Sequence, residues 1–361
     1  MKRIGVLTFS NTVNFGASLQ ACALRKTVMS LGCDCEVLNY SNKELDDREL
    51  GTRFSFNPSD AIRFILRRGF ERQRLKAFAH FAKCNLSLTD KLDRQALIDR
   101  AKSLDCVFIG SDQVFNPRVN GHDPVFLGEG IAEVTKVASY AASLGDATVD
   151  SIETCDGGAA SRLMGFTGLS VREPSSMEVL GDMGLKSVFM PDPTLLLTGV
   201  DWSEFASDDE LGAMPQSYVL LYTLNSEQKL VDRAKGIADE LGVPVVCIHY
   251  NTKKFPGMIN LRGIGPAAFL KLLSGATFVC TDSFHGACFS MNFNKPFIVK
   301  TSDSAVQSNV RITDLLARYE IEDCLYRDEV VTSTVDFGHA NQTLSHDREA
   351  ARAFIAHCIG L

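Results

Sequence analysis

Short apolar runs alternate with longer amphipathic stretches along most of this chain. The runs are rich in Val, Ile and Phe, which predicts buried strands at 2–9, 35–40, 106–110, 136–142 and 168–171. A second series follows at 218–223, 243–249, 277–281 and 296–300. The stretches 17–31, 94–104, 227–241, 266–273 and 285–293 read as helices. Strands alternating with helices imply βαβ units, hence an α/β fold with parallel sheets. The rhythm breaks between 191 and 215, where PDPT gives way to an acidic, polar segment. This predicts domains at 1–198 and 217–361 joined by a linker at 199–216, with the last helix able to pack back on the first domain. Each half reads as Rossmann-like, the two facing across a cleft. In such sheets ligands bind at the carboxyl ends of the strands.

Composition narrows the class. A length of 361 residues suits two domains, and 45% hydrophobic with 22% charged residues excludes wholesale disorder. The net charge of −7 argues against a general nucleic-acid binder, which needs a basic footprint, but leaves room for a local basic pocket. Segment 61–80, AIRFILRRGFERQRLKAFAH, is basic and amphipathic. It reads either as a solvated helical face or as a contact for an anionic membrane surface or lipid-linked acceptor, and Gly69 interrupts it. The apolar run Ile4 to Phe9 is too short for a secretory signal, and no stretch is long enough to span a bilayer. Eleven cysteines is an odd number, and Cys106, Cys247 and Cys280 sit in apolar runs, so buried thiols in a reducing cytoplasm are expected. Cys33 and Cys35 have no second pair at zinc spacing.

Four segments gather polar side chains where strands end. In TFSNTVNFGASLQ (8–20), Ser10, Asn11 and Asn14 lead through Gly16 into a helix whose start is an anion site, or simply a capped turn. No G-x-G-x-x-G is present there, which argues against a dinucleotide site. In FIGSDQVFNP (108–117), a strand delivers Ser111, Asp112, Gln113 and Asn116, a set suited to sugar hydroxyls or to capping a helical turn. In LSVRE (169–173), Arg172 is placed either to fork onto a carboxylate or phosphate, or to pair with Glu173 or Asp192 of PDPT. In VCTDSFHGACFSMNFNKPF (279–297), a buried strand ends at Asp282 and a helix opens at Gly286. His285 in that turn is a candidate acid–base group, with the helix dipole expected to lower its pKa and to favour a bound anion.

Taken together, LTFSNTVNFGASLQA, FIGSDQVFNP, YAASLG (140–145), SVRE, PDPTLLL, TDSFHGACFSMNFNKPF and SNVRITDLL (308–316) resemble the polysaccharide pyruvyl transferase family over roughly residues 1–320. The resemblance implies two Rossmann-like domains of the GT-B kind. It also implies transfer of a pyruvyl unit from phosphoenolpyruvate to two hydroxyls of a sugar, giving a cyclic ketal. His285 matches the family's active-site histidine, and Arg172 matches the arginine of its SVRE-type motif. Better-known members carry an arginine two residues before that histidine, where this chain has Ser283. Arg311, Lys295 or Lys300 could then supply the missing cation.

The expected site therefore divides. His285, Asp282 and Asp112 are the catalytic candidates. Arg172, Ser283, Gly286, Arg311 and Lys295 are the donor side. Asn11, Asn14, Gly16, Ser111, Gln113 and Asn116 are the acceptor side. Phosphate is already a good leaving group, so neither metal nor cofactor is called for. The expected partners are phosphoenolpyruvate and a glycan or lipid-linked sugar, and the expected place is the cytoplasm, either free or at the inner face of the membrane. Two rivals share the fold: a nucleotide-sugar glycosyltransferase, and a non-catalytic glycan-assembly protein, which Ser283 would favour.

Overall fold

The computed structural model describes residues 1–10, 12–45, 58–250, 254–301, 306–328 and 335–361, with 58–68 and 306–308 described in backbone only. Two compact units result. The first comprises Met1–Arg53, Ala82–Leu196 and Ser345–Leu361, and the second Phe54–Phe81 and Leu197–Leu344.

In the first unit the strands are β1 (Arg3–Leu7), β2 (Asp34–Val37), β3 (Cys106–Ile109), β4 (Lys136–Ser139), β5 (Ser170–Val171) and β6 (Val188–Phe189). All pair in parallel, in the order β2-β1-β3-β4, with β5-β6 as a short extension. Single bridges from Ala138 to Gly168 and from Ala142 to Val171 join that extension to β4. The second unit holds β7 (Val219–Tyr222), β8 (Val245–Ile248), β9 (Ile259–Leu261), β10 (Phe278–Thr281) and β11 (Phe297–Val299), in the order β11-β10-β7-β8-β9. Both are doubly wound sheets. Chain direction reverses between β1 and β3 in one and between β7 and β10 in the other, and at such a reversal the strand ends open a crevice.

The central strands are apolar on both faces because helices cover both sides. β3, β7, β8 and β10 are buried at every position. Helix Phe15–Ser30 is capped by Asn14, whose side chain accepts from Ala17 N. It buries most of its length, which is why its residues are almost uniformly apolar or small. Ten cysteines are buried or half-buried, with Cys84 exposed, and burial pushes the thiols of Cys106 and Cys247 up to about 12, where they stay protonated.

Two differences from the sequence pattern have physical reasons. Helix Pro58–Asn85 runs through Gly69, because an exposed helical glycine costs only about 1 kcal/mol. The predicted strand 136–142 stops at Ser139, since Ala141 adopts φ 48°. Segment 199–216 groups with the second unit. It opens with helix Gly199–Ser203, whose capping box is Thr198 and Asp201. Trp202 is fully buried there, with rings of Phe289 at 5.1 Å and Phe205 at 5.7 Å. Trp202→Ala should therefore lower unfolding stability by about 3–5 kcal/mol. A urea midpoint close to that of the parent would show that this segment is a mere connector.

Candidate functional site

Each unit carries a polar centre at its own sheet reversal. In the first unit, two buried side chains, Gln20 and Thr8, and the Ser111 backbone knit the ends of β1 and β3. Gln20 Nε2 donates to Thr8 Oγ1 at 2.7 Å, Thr8 Oγ1 to Ser111 O at 3.1 Å, and Ser111 N to Gln20 Oε1 at 3.2 Å. Gly110 is required between β3 and this loop. Its φ is 125°, and a Cβ there would lie 2.4 Å from Tyr140 O. Asp112 then turns at φ 68°, with its carboxylate accepting from Gln113 N at 2.9 Å.

Arg172 lies beneath Asp112, its side chain 1% exposed. Its Nη1 donates to Asp192 at 2.6 Å, its Nε to Glu173 at 2.9 Å, and its Nη2 reaches Asp112 at 3.4 Å. Burial works against this charge, yet the three carboxylates hold its pKa above the ordinary guanidinium value. Asp192 also accepts from Thr194 N and Oγ1, and Glu173 from Ser176 Oγ. Arg172 is thus the internal counter-ion of a carboxylate cluster. One carboxylate of the cluster, Asp112, is 20% exposed; Glu173 and Asp192 are not.

The remaining acceptor-side candidates separate by exposure. Ser111 and Asn116 are fully buried. Ser111 Oγ donates to Ala141 O at 2.8 Å, and Asn116 caps helix Pro117–Asn120 while donating to Asp146 at 2.8 Å. Both shape the loop instead of meeting a ligand. Gly16 is buried, Asn14 is exposed, Gln113 is half-buried, and Asn11 lies outside the described residues. Ser10 Oγ and Thr12 Oγ1, beside them, are buried hydroxyls with no hydrogen-bond partner. They follow the end of β1, the same positional signal that marks the other candidates.

In the second unit, Asp282 follows β10 and bridges to β7. Its carboxylate accepts from Leu224 N at 2.7 Å, Asn225 N at 2.9 Å and Thr223 Oγ1 at 3.0 Å. Burial pushes its pKa above the ordinary carboxylate value, against those donors. These bonds tie the end of β10 to the loop after β7 through Asp282. Ser283 is buried and caps helix Phe284–Asn292, accepting from Gly286 N at 3.3 Å. Gly286 seats the helix on the strand, since a Cβ would lie 2.4 Å from Thr281 Oγ1. Both are therefore framework for His285, which is half-buried in the first turn, its ring edge-on to Phe284 at 5.3 Å.

Of the cations considered for this corner, Arg311 lies 5.9 Å over the Phe284 ring. Lys300 pairs with Glu227 at 2.6 Å. Lys295 follows the far end of helix Phe284–Asn292, about 12 Å along its axis from the turn that holds His285. The sequence reading passes over Tyr222, which ends β7 and is hydrogen bonded to Ser283 and Tyr250. Its signal is the same strand-end position that picks out Asp282.

Removing the Arg172 charge leaves buried carboxylates without a counter-ion. Arg172→Met should cost about 3–5 kcal/mol of stability, measured by chemical denaturation. A stability change below about 1 kcal/mol would show that the cluster is not held by this ion.

The solved structures similar to this chain include the UDP-GlcNAc 2-epimerase of Methanocaldococcus jannaschii, at TM-score 0.51 and 11% identity over 97% of this chain and 92% of that one. The enzyme of the same name from Neisseria meningitidis, bound to UDP-GlcNAc, matches at 0.51 and 12% over 98% and 94%. A putative one from Listeria monocytogenes matches at 0.51 and 10% over 100% and 91%. These are GT-B enzymes, and at such identities the likeness is one of fold. No curated protein sequence matches the chain. The model of the polysaccharide pyruvyl transferase family matches residues 14–304, which take in all four polar strand-end segments apart from the first six residues of the one that opens at Thr8. With His285 at the head of its helix and Asp112 raised from its carboxylate cluster, the chain belongs to the polysaccharide pyruvyl transferase family, a family of transferase enzymes.

Proposed function

We propose that the protein transfers the pyruvyl group of phosphoenolpyruvate to a sugar of a polysaccharide or its precursor, forming a pyruvate ketal. The observation that carries this reading is His285 in the first turn of helix Phe284–Asn292, within the span of the family match and with Arg311 against the neighbouring ring. A helix start attracts anions through its dipole and its N–H groups, and Arg311 adds a full charge. The donor carboxylate suits that corner. His285 delivers a proton to the donor's methylene carbon, which becomes the methyl group of the ketal. One sugar hydroxyl adds to C2, phosphate leaves with its ester oxygen, and the second hydroxyl captures the resulting cation. Of the two hydroxyl protons released, one balances the proton gained by the methyl group and the other leaves with phosphate.

On the first unit, Asp112 is the group suited to accept hydroxyl protons. Arg172 behind it, its Nη2 at 3.4 Å, orients the carboxylate. Ser10, Thr12, Asn14 and Gln113 are the polar side chains suited to sugar hydroxyls. Ser283 does not argue for a lost donor site in this reading, because its hydroxyl serves as helix cap while Arg311 supplies charge.

The test is phosphate release from phosphoenolpyruvate with a matched glycan acceptor. His285→Ala should lower turnover by roughly 10²-fold or more, as loss of a general acid–base group does. His285→Asn should do nearly the same, because an amide cannot carry protons at neutral pH. Variants that melt like the parent and keep more than about a tenth of its rate would remove His285 from the chemistry.

A further inference from the structure

Helix Pro58–Asn85 carries seven Arg or Lys residues against Asp60 and Glu71, in a chain whose net charge is −7. Its inward side is fixed by contacts. Arg262, which follows β9, stacks 4.5 Å over the Phe70 ring, and Arg74 stacks 4.4 Å over the ring of Tyr250, which follows β8. Ala77, Phe78 and Phe81 are buried, and a Cβ on Gly265 would lie 2.7 Å from Ala77 Cβ. At about 100° per residue, Phe70, Arg74, Ala77, Phe78 and Phe81 all fall within roughly 50° of one direction around the helix axis.

The cations gather on the other side. By the same register Arg68, Arg72, Lys76 and Lys83 fall within about 80° of one another, opposite the inward direction. Asp60 and Glu71 both fall outside that stripe. Arg72, Lys76 and Lys83 are exposed, and so is Ala79 between them, a side chain too small to hold a flat surface away. Arg72 and Lys83 stand about 16 Å apart along the axis. Leu75, on the flank of the stripe, is 46% exposed.

A row of cations with no acid among them is complementary to a surface of spread negative charge, such as a bilayer with anionic headgroups. The exposed leucine beside them separates this partner from a polyanion in water, because it can enter the boundary between headgroups and acyl chains. No helix among the described residues is long and apolar enough to cross a membrane. The contact is therefore that of a helix lying along the surface.

We propose that the outward side of helix Pro58–Asn85, through Arg68, Arg72, Lys76, Lys83 and Leu75, docks the protein on an anionic phospholipid bilayer. Its inward side covers the carboxyl ends of β8 and β9, so docking sets those strand ends one helix diameter, about 10 Å, from the headgroups. This goes beyond the proposed reaction and does not depend on it.

Co-sedimentation with vesicles, in the absence of substrate, is the test. At about 0.1 M salt the parent should bind vesicles of two parts phosphatidylcholine to one part phosphatidylglycerol much better than vesicles of phosphatidylcholine alone, and that preference should fade as salt shortens the Debye length. Arg72→Gln, Lys76→Gln and Lys83→Gln should each weaken the binding about fivefold, and the triple variant about 100-fold, since each cation near an anionic bilayer contributes about 1 kcal/mol. Arg72→Lys and Lys76→Arg keep the charge and should bind like the parent. Leu75→Ser should weaken binding severalfold and leave its salt dependence unchanged. Exposed positions should leave the melting temperature unaltered; should the triple variant melt early, the single variants carry the comparison. A parent that does not distinguish anionic from neutral vesicles, or a triple variant that binds them like the parent, would overturn the docking surface. So would a parent held by an acidic polysaccharide through the same three residues but not by vesicles, which would make the stripe a glycan contact.

Discussion

One buried charge organises the first unit. Arg172 meets Asp112, Glu173 and Asp192 with its own side chain fully buried, where a lone guanidinium or a lone carboxylate would be costly. Those four residues come from three separate segments of the chain: the loop after β3, the end of β5, and the PDPT turn after β6. Their mutual attraction fixes the relation of three strand ends. It also leaves one carboxylate, Asp112, turned outward on a left-handed residue, with its partners buried behind it.

The second unit solves the same problem without an ion pair. Asp282 accepts three donors from the loop after β7, and the cap of a helix, Ser283, is the next residue. Here too a polar side chain bridges the two strands between which chain direction reverses. Both centres hold their carboxylates through donors of the scaffold, while Asp112, Gln113 and His285 each keep part of their surface exposed.

Much of the candidate site was legible as position. Strand-end polar residues are visible as soon as the apolar runs are, and that rule alone picks out Asp112, Arg172, Asp282 and His285. What each does was not legible, because a carboxylate that clamps a loop and one that faces a ligand have the same sequence signature. Asp282 and Asp112 differ in burial and in the partners the fold brings to them. Lys295, ten residues from His285 in sequence, follows the opposite end of one helix.

The alternation of short apolar runs with amphipathic stretches determined the α/β class and the parallel pairing, because strands buried on both faces must be uniformly apolar and must be joined by crossovers. The ordered strand-end segments determined the family. Tertiary structure alone decided which side chains became scaffold. Burial and partner number depend on contacts between segments far apart in the chain, such as Gln20 with Ser111, and Arg74 with Tyr250. No local pattern carries that information, since each of these residues has an ordinary neighbourhood in sequence and acquires its role from what the fold sets against it.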